Sequence, residues 1–144
     1  MRLTRFTDFG LRACMRMAAE PDRALSTAEL ARDFGISRNH LTKAVAALAH
    51  AGVVETRRGT GGGALLARPA DQISVGRIVA VLEQGSALVE CFEADGGACT
   101  IASDCRLKGV LFRARRRFIA ELDRVTLADC ALLPLWNLDH DDHC

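Results

Sequence analysis

The chain has 144 residues, of which 49% are hydrophobic and 26% charged, and its formal net charge is +1. These values are typical of a folded domain, so global disorder is excluded, and no apolar run approaches the ~20 residues of a membrane-spanning helix. The first residues lack the apolar stretch of a signal peptide, and we therefore expect a cytoplasmic protein.

Charge is distributed unevenly between the two halves. Residues 1–72 carry eleven Lys/Arg and seven Asp/Glu, whereas residues 73–144 carry eight and eleven. The net positive first half is suited to contact with a polyanion, and the net negative second half is not.

The first helix is expected to begin at Thr4 or Thr7 and to run to about Glu20, because Pro21 stops it. Its polar residues recur at steps of three and four, which predicts one polar stripe on an otherwise apolar helix. They are Arg5, Asp8, Arg12 and Arg16.

A helix-turn-helix is predicted next. Ser26 and Glu29 form a capping box before a helix of about residues 27–34, and Gly35 provides a tight turn. Ser37 is expected to cap a third helix that ends near residues 51–52.

The third helix has an apolar face and a polar face. Leu41, Val45 and Leu48 are spaced four and three apart, which predicts that they face the core. The polar side chains on or beside the opposite face are Arg38, Asn39, His40, Thr42 and Lys43. Donors and small side chains near the N-terminus of such a helix are typical of one that enters the major groove of DNA.

A β-hairpin wing follows, with strands expected at 53–56 and 64–67 around a glycine-rich tip. Arg57 and Arg58 at this tip could contact the DNA backbone or enter a minor groove. A solvated helix face and a mobile turn are the alternative for any single residue, but the series as a whole favours DNA binding. A phosphate-binding loop is disfavoured, because the tip lacks the G-x-x-x-x-G-K-[ST] pattern.

The second half is predicted to contain a short connector at 69–72, a helix from Ser74 to about Glu83, a loop at 84–102 and a long helix at about 103–124. The long helix has an apolar stripe that a small monomer could hardly cover, so it is expected to form a dimer. The stripe comprises Leu107, Leu111, Ala114, Phe118 and Leu122, with Val110 and Ile119 beside it. A capped turn is expected at 126–129.

Three cysteines lie in the predicted loop and at the start of the long helix, with the spacing C-x7-C-x5-C. They are Cys91, Cys99 and Cys105, and Cys105 is expected in the first turn of the helix. Grouped thiolates suit an iron–sulfur cluster or zinc, although zinc sites usually include a C-x2–4-C pair, which is missing here. Three unrelated loop cysteines remain the alternative.

The other cysteines receive different predictions. Cys14 and Cys130 are expected to be packing residues. The tail His140–Cys144 has ligand-type side chains, and a frayed terminus is the simpler explanation.

Several of these segments resemble the NsrR family of nitric-oxide-sensing repressors, within the superfamily that includes IscR. The resemblance covers residues 1 to about 130 and lies in the start Met-Arg-Leu-Thr-Arg-Phe-Thr-Asp-Phe-Gly-Leu-Arg, in 36–43, in the wing at 57–63 and in 126–129. The wing motif belongs to the whole superfamily, whereas the Phe-Thr-Asp start and the Ser-Arg-Asn-His turn are more specific to NsrR.

The resemblance implies a mainly α fold with a small β-hairpin, namely a winged helix-turn-helix followed by a long dimerisation helix. It implies a homodimeric repressor of double-stranded operator DNA with a [4Fe–4S] cluster held by Cys91, Cys99, Cys105 and Asp8 of the partner subunit. IscR-like members have a histidine where this chain has Lys108, which argues against a [2Fe–2S] cluster. Nitrosylation of the cluster by nitric oxide would then release the DNA and derepress nitrosative-stress genes.

The domains expected from this comparison are a DNA-binding domain at 1–72, a cluster-binding loop with the dimerisation helix at 73–130, and a flexible tail at 131–144. Asp8 and Arg12 are i,i+4 neighbours, so a released Asp8 could pair with Arg12. No nucleophile–base arrangement indicates an enzyme. The alternatives are a cysteine-disulfide or other iron–sulfur redox regulator and, in a different class, a small iron–sulfur electron-transfer protein.

Overall fold

The computed structural model describes residues 2–132, which form five α-helices and one two-stranded hairpin. The helices are α1 (Arg5–Ala19), α2 (Thr27–Phe34), α3 (Arg38–His50), α4 (Val75–Leu82) and α5 (Arg106–Leu122), and the strands are β1 (Val54–Arg57) and β2 (Gly63–Leu66). Short 3-10 turns cover Ala70–Gln72, Glu90–Phe92 and Ala128–Cys130. The predicted mainly helical fold with one hairpin is confirmed.

Helix α1 lies at the centre of the packing. Thr4 caps it by accepting a hydrogen bond from the Thr7 N–H at 3.2 Å, and its inner face is fully buried. Gly10 faces α4, where a Cβ would overlap the Leu82 side chain, so glycine allows the two helices to approach closely. This helix packs on α3 as well as on α4.

The predicted polar stripe of α1 does not lie wholly on the surface, because Arg16 is only 4% exposed. Its guanidinium pairs with Glu20 and, at 3.3 Å, with Asp33 at the end of α2. Burial is tolerated because the charge is paired there. Hydrogen bonds from Arg23 and then Arg16 lower the pKa of Glu20 to about 2, although partial burial opposes this shift.

The helix-turn-helix forms as expected. The Ser26 hydroxyl accepts from the Glu29 N–H at 3.1 Å, and Gly35 ends α2 in the left-handed conformation at φ 61°. Ser37 stands at the N-cap of α3 without a side-chain capping bond. The predicted apolar face of α3 is buried at Leu41, Val45 and Leu48.

The wing is anchored to the segment before α2. Strands β1 and β2 are antiparallel, and Leu25 exchanges two backbone hydrogen bonds of 2.8 Å with Ala64. A Cβ at Gly63 would lie 2.5 Å from the Leu25 carbonyl, so this close approach requires glycine.

Helix α4 packs on α1, α3 and α5. Ser74 caps α4 and donates to Asp123 at 2.6 Å, which links the start of α4 to the end of α5. The predicted capped turn after α5 is present, since the Asp129 carboxylate accepts from the Thr126 N–H at 2.9 Å. Helix α5 begins at Arg106, so Cys105 is its N-cap and does not lie within the first turn as expected.

The predicted stripe of α5 is covered only in part by its own chain. No residue of α5 is fully buried, and Leu107 and Val110 remain 59% and 49% exposed. Within residues 2–132, no helix is long and apolar enough to cross a membrane. The tail His140–Cys144 lies outside the described residues.

Candidate nucleic-acid interface and cysteine loop

The outer face of α3 presents the side chains that the sequence predicts for DNA contact. All five are exposed, namely Arg38, Asn39, His40, Thr42 and Lys43. The Thr42 hydroxyl donates to the Arg38 carbonyl at 2.8 Å, which leaves its oxygen lone pairs available as acceptors. Among the ion pairs of the described residues, none involves Arg38 or Lys43, so both cations can bind phosphate.

The wing adds two exposed arginines to this surface. Arg57 stands at the end of β1 opposite Gly63 and pairs with Glu55 at 3.2 Å, with both side chains at least half exposed. Arg58 is exposed at the tip. Because an exposed ion pair contributes little, Arg57 can exchange Glu55 for a phosphate at small cost.

A ring contact links α1 to the outer face of α3. The rings of Phe9 and His40 lie 6.3 Å apart between centroids. Phe9 follows Asp8, the residue that the family resemblance implies as an iron ligand. A movement of this end of α1 would therefore displace His40, a candidate DNA-contacting side chain, through its contact with Phe9.

Asp8 forms the predicted ion pair with Arg12. The two carboxylate oxygens accept from the guanidinium at 2.9 and 3.1 Å, and each side chain is 47% exposed. The geometry is bidentate, but solvent screens it, so the pair is worth about 0.3–0.5 kcal/mol. Asp8 is thus held by Arg12 in the single chain.

The three candidate cysteine ligands lie between α4 and α5. Cys91 is in the 3-10 turn Glu90–Phe92, Cys99 is in the loop, and Cys105 caps α5; all three are half-buried free thiols. The chain does not gather them, since no three His, Cys, Asp or Glu side chains within residues 2–132 are placed to hold a metal ion.

The loop that carries these cysteines has internal order. The Glu90 carboxylate accepts from the Ala98 N–H at 3.1 Å, and Gly97 packs so closely on Glu90 that a Cβ would lie 2.5 Å from its carbonyl oxygen. Phe92 meets Phe112 of α5 edge to face at 6.3 Å. The loop is therefore attached to α5 through Phe92.

An open cavity of about 610 Å³ adjoins Cys105. Phe92 and Phe112 line one part of it, and Lys108 and Arg115 provide cations. The cavity offers room beside the thiol for the loop to rearrange.

Sequence reasoning missed a hydrogen-bond group that joins the end of α4 to the start of α1. Glu83, which ends α4, accepts from the Thr4 N–H at 2.8 Å, from the Thr4 hydroxyl at 3.0 Å and from the buried Thr7 hydroxyl. Burial opposes ionisation, but these hydrogen bonds prevail and lower the pKa of Glu83. No local pattern could reveal this group, because Glu83 is 79 residues from Thr4 and 76 residues from Thr7.

The remaining cysteines differ from the loop cysteines. Cys14 is fully buried, and burial raises its pKa to about 12, which confirms a packing role and suppresses thiolate chemistry. Cys130 is a half-buried free thiol in the last 3-10 turn.

A family model of iron-dependent transcriptional regulators, Rrf2, matches residues 3–131. The chain belongs to the Rrf2 family. It is therefore a DNA-binding transcriptional regulator. The family consists of regulators and not of enzymes.

Solved structures support this membership. CymR (YrzC), the global cysteine regulator of B. subtilis, is 27% identical with a TM-score of 0.69, over 91% of this chain and 96% of that one. The oxidised form of Staphylococcus aureus CymR is 26% identical with a TM-score of 0.68, over the same fractions. IscR of T. potens is 26% identical with a TM-score of 0.70, over 100% of this Rrf2 chain and 93% of that one.

The donor chemistry of the loop fits an iron–sulfur cluster. Three thiols within fifteen residues provide the soft anionic ligands that such clusters use, and two cations line the cavity beside Cys105.

Proposed function

We propose that this Rrf2 protein is a nitric-oxide-responsive repressor that binds operator DNA as a homodimer. Cys91, Cys99 and Cys105 would hold a [4Fe–4S] cluster together with Asp8 of the partner subunit. The bound cluster would supply an iron that reacts with nitric oxide at its weakest, carboxylate-ligated corner. The resemblance to NsrR and the three free thiols of the loop support this proposal.

The DNA-binding part depends on the exposed outer face of α3. The opposite face of this helix is buried in the core, so its hydrogen-bond donors are held on the exposed side. A recognition helix that binds in the major groove of DNA has this arrangement. In a dimer the two recognition helices must match half-sites about one helical turn apart. Any change that alters the position of α1 against α3 would therefore alter operator affinity.

The chain supplies a route from the cysteine loop to this face. Asp8 and Phe9 are consecutive in α1, and Phe9 contacts His40 of α3. Asp8 engaged as a ligand would leave Arg12 unpaired, whereas released Asp8 returns to the Arg12 pair that the single chain shows. Asp8 thus has a defined partner after it leaves the cluster. Because the Asp8–Arg12 pair is weak, it can favour the released state but cannot drive the release.

The decisive experiment is a nitric oxide titration of the anaerobically purified full-length protein. Visible absorbance and binding to operator fragments selected from random DNA are followed in the same sample. We expect a brown protein whose absorbance bleaches as the DNA is released, a Cys99→Ser variant that is colourless, and a Cys130→Ser control that behaves as the wild type. Operator affinity that survives complete bleaching would refute the proposal.

A cysteine-disulfide regulator is the second candidate. The observations that favour it are the three thiols that the chain leaves ungathered and the likeness to CymR, the global cysteine regulator. It predicts a colourless protein in which reversible oxidation joins Cys91 to Cys99 or Cys105 and changes DNA affinity. Anaerobic purification followed by thiol counting separates the two candidates.

A further inference from the structure

Charge in the second half of the chain is segregated into two adjacent blocks of opposite sign. Residues 78–105, the acidic block, contain five carboxylates and no Lys, Arg or His. Residues 106–117, the basic block, contain six Lys/Arg and no carboxylate. The net charge of this half conceals the contrast, because the two blocks largely cancel.

The two blocks do not neutralise each other within one chain. Among the described residues, no ion pair joins a carboxylate of the acidic block to a cation of the basic block. Two of the loop carboxylates form hydrogen bonds within their own segment. Asp95 accepts a hydrogen bond from the Gly97 N–H, and Asp104 accepts one from the Ser103 hydroxyl. The charge of neither block is therefore neutralised by the other within the described residues of one chain.

The basic block has a defined surface on α5. Arg106, Arg113 and Arg117 are spaced by seven and four, share one helix face and are all exposed. This basic stripe runs beside Leu107 and Val110, the exposed apolar residues of the same helix. A partner for such a surface needs apolar contact and negative charge together.

DNA is a poor match for this surface. The inner face of α3 packs towards α1 and α4, so its outer face points away from α4, whereas α5 packs on α4. Operator DNA bound to the outer face of α3 would thus be separated from α5 by α4. DNA would also leave Leu107 and Val110 in water.

A second copy of this chain carries the complementary charge. We propose that the basic stripe of each subunit binds the acidic block of the other subunit, chiefly Glu93 and Asp104, next to the apolar contact between the α5 helices. Two-fold symmetry repeats the contact, so each cysteine loop is held by the neighbouring α5. The inference rests on the homodimer of the proposed function, but it needs neither the cluster nor nitric oxide.

The test exchanges charges between two variants of the full-length chain. Arg113→Glu/Arg117→Glu makes the basic stripe net negative, and Glu93→Arg/Asp104→Arg places positive charge at the two loop positions that the stripe is proposed to bind. Arg32→Glu/Arg68→Glu, at exposed positions outside both blocks, is the control that matches the charge change of the Arg113→Glu/Arg117→Glu variant. Circular dichroism checks that each variant folds, and sedimentation velocity at low salt measures the dimer dissociation constant of each variant and of their mixture.

Each block variant alone should dimerise roughly 10- to 100-fold more weakly than the wild type, because attraction between exposed charges becomes repulsion at both symmetric contacts. Added salt should narrow this gap through screening. An equimolar mixture should recover near-wild-type affinity, because both contacts of the mixed dimer again join opposite charges. The control variant should dimerise as the wild type does.

Three results would overturn the inference. Weak dimers that mixing does not restore would place the charge contact within one chain. Unchanged dimerisation of both variants would show that the blocks take no part in it. Lost DNA affinity of the Arg113→Glu/Arg117→Glu variant with intact dimerisation would assign the stripe to DNA. If the protein binds no cluster but the mixed variants recover dimer affinity, the proposed sensing chemistry is refuted and the charge contact is retained. Failure of the proposed function can therefore be distinguished from failure of this inference.

Discussion

The hydrogen-bond group around Glu83 allows a quantitative prediction. One carboxylate accepts three hydrogen bonds from Thr4 and Thr7, and the Thr7 hydroxyl is fully buried. Removing an ionised acceptor costs about 1.5–3 kcal/mol. The Thr7 hydroxyl keeps a partner in the variant, because its oxygen lies 3.0 Å from the Thr4 hydroxyl oxygen. We expect Glu83→Ala to lower the free energy of unfolding by about 2–3 kcal/mol and Glu83→Gln, which keeps an acceptor, by about 1 kcal/mol.

The sign of the pH dependence follows from the lowered pKa of Glu83. A carboxyl whose pKa is lower in the folded state stabilises the protein above the unfolded pKa, near 4.3, and this stabilisation is lost as pH falls through the folded pKa. The difference between wild type and Glu83→Gln should therefore be largest near pH 7 and shrink progressively below about pH 4.

The assay is urea unfolding of the apo protein at one fixed protein concentration, because dimerisation couples stability to concentration. Glu121→Gln is the control, since Glu121 makes an exposed pair with Arg124 and should change stability by under about 0.5 kcal/mol. A Thr7→Val variant completes a double-mutant cycle with Glu83→Gln, and the two effects should not add. Equal stabilities of Glu83→Ala and Glu121→Gln would refute the reasoning.

Four shorter predictions follow from the same contacts. Cys14→Ser places an unsatisfied hydroxyl in the core and should cost about 1–3 kcal/mol in urea unfolding, whereas Cys130→Ser should cost under about 0.5 kcal/mol. Arg16→Ala should cost about 1.5–3 kcal/mol in the same measurement, because half-buried Asp33 loses the pair with Arg16 whereas Glu20 keeps Arg23. Lys43→Ala should lower DNA affinity similarly for all sequences and reduce the salt slope by about one in fluorescence anisotropy. Arg12→Ala should raise the nitric oxide concentration for half-release of DNA about twofold, because the released state loses the Asp8–Arg12 ion pair. An unchanged concentration for half-release would show that this ion pair does not contribute to release.

The helix-turn-helix illustrates what can be predicted from local signals. Ser26, Gly35 and the spacing of Leu41, Val45 and Leu48 each act within a few residues, and the structure confirms all of them. Caps, turns and amphipathic spacing are local because they depend on hydrogen bonds and faces inside one element. The exposed outer face of α3 was predictable for the same reason.

Arg16 and Glu83 illustrate what could not be predicted. Helical spacing places Arg16 in a polar stripe, but in the structure Arg16 is buried and forms an ion pair with Asp33 of another helix. Glu83 ends its helix without any local sign that α1 will provide three donors for it. Long-range contacts of this kind are set by how helices dock, and the sequence pattern of either partner leaves them undetermined.

The sequence by itself therefore determined the order and type of the elements, the polar face of α3 and the three loop cysteines, since all of these rest on local periodicity or on composition. Only the tertiary structure decided that Arg16 is buried, that Glu83 joins the end of α4 to α1, and that the opposite charges of residues 78–105 and 106–117 form no ion pair within the described chain. The physical reason is the same in each case. Local hydrogen bonds select helices and turns, whereas burial and charge pairing depend on which surfaces meet after the chain has folded.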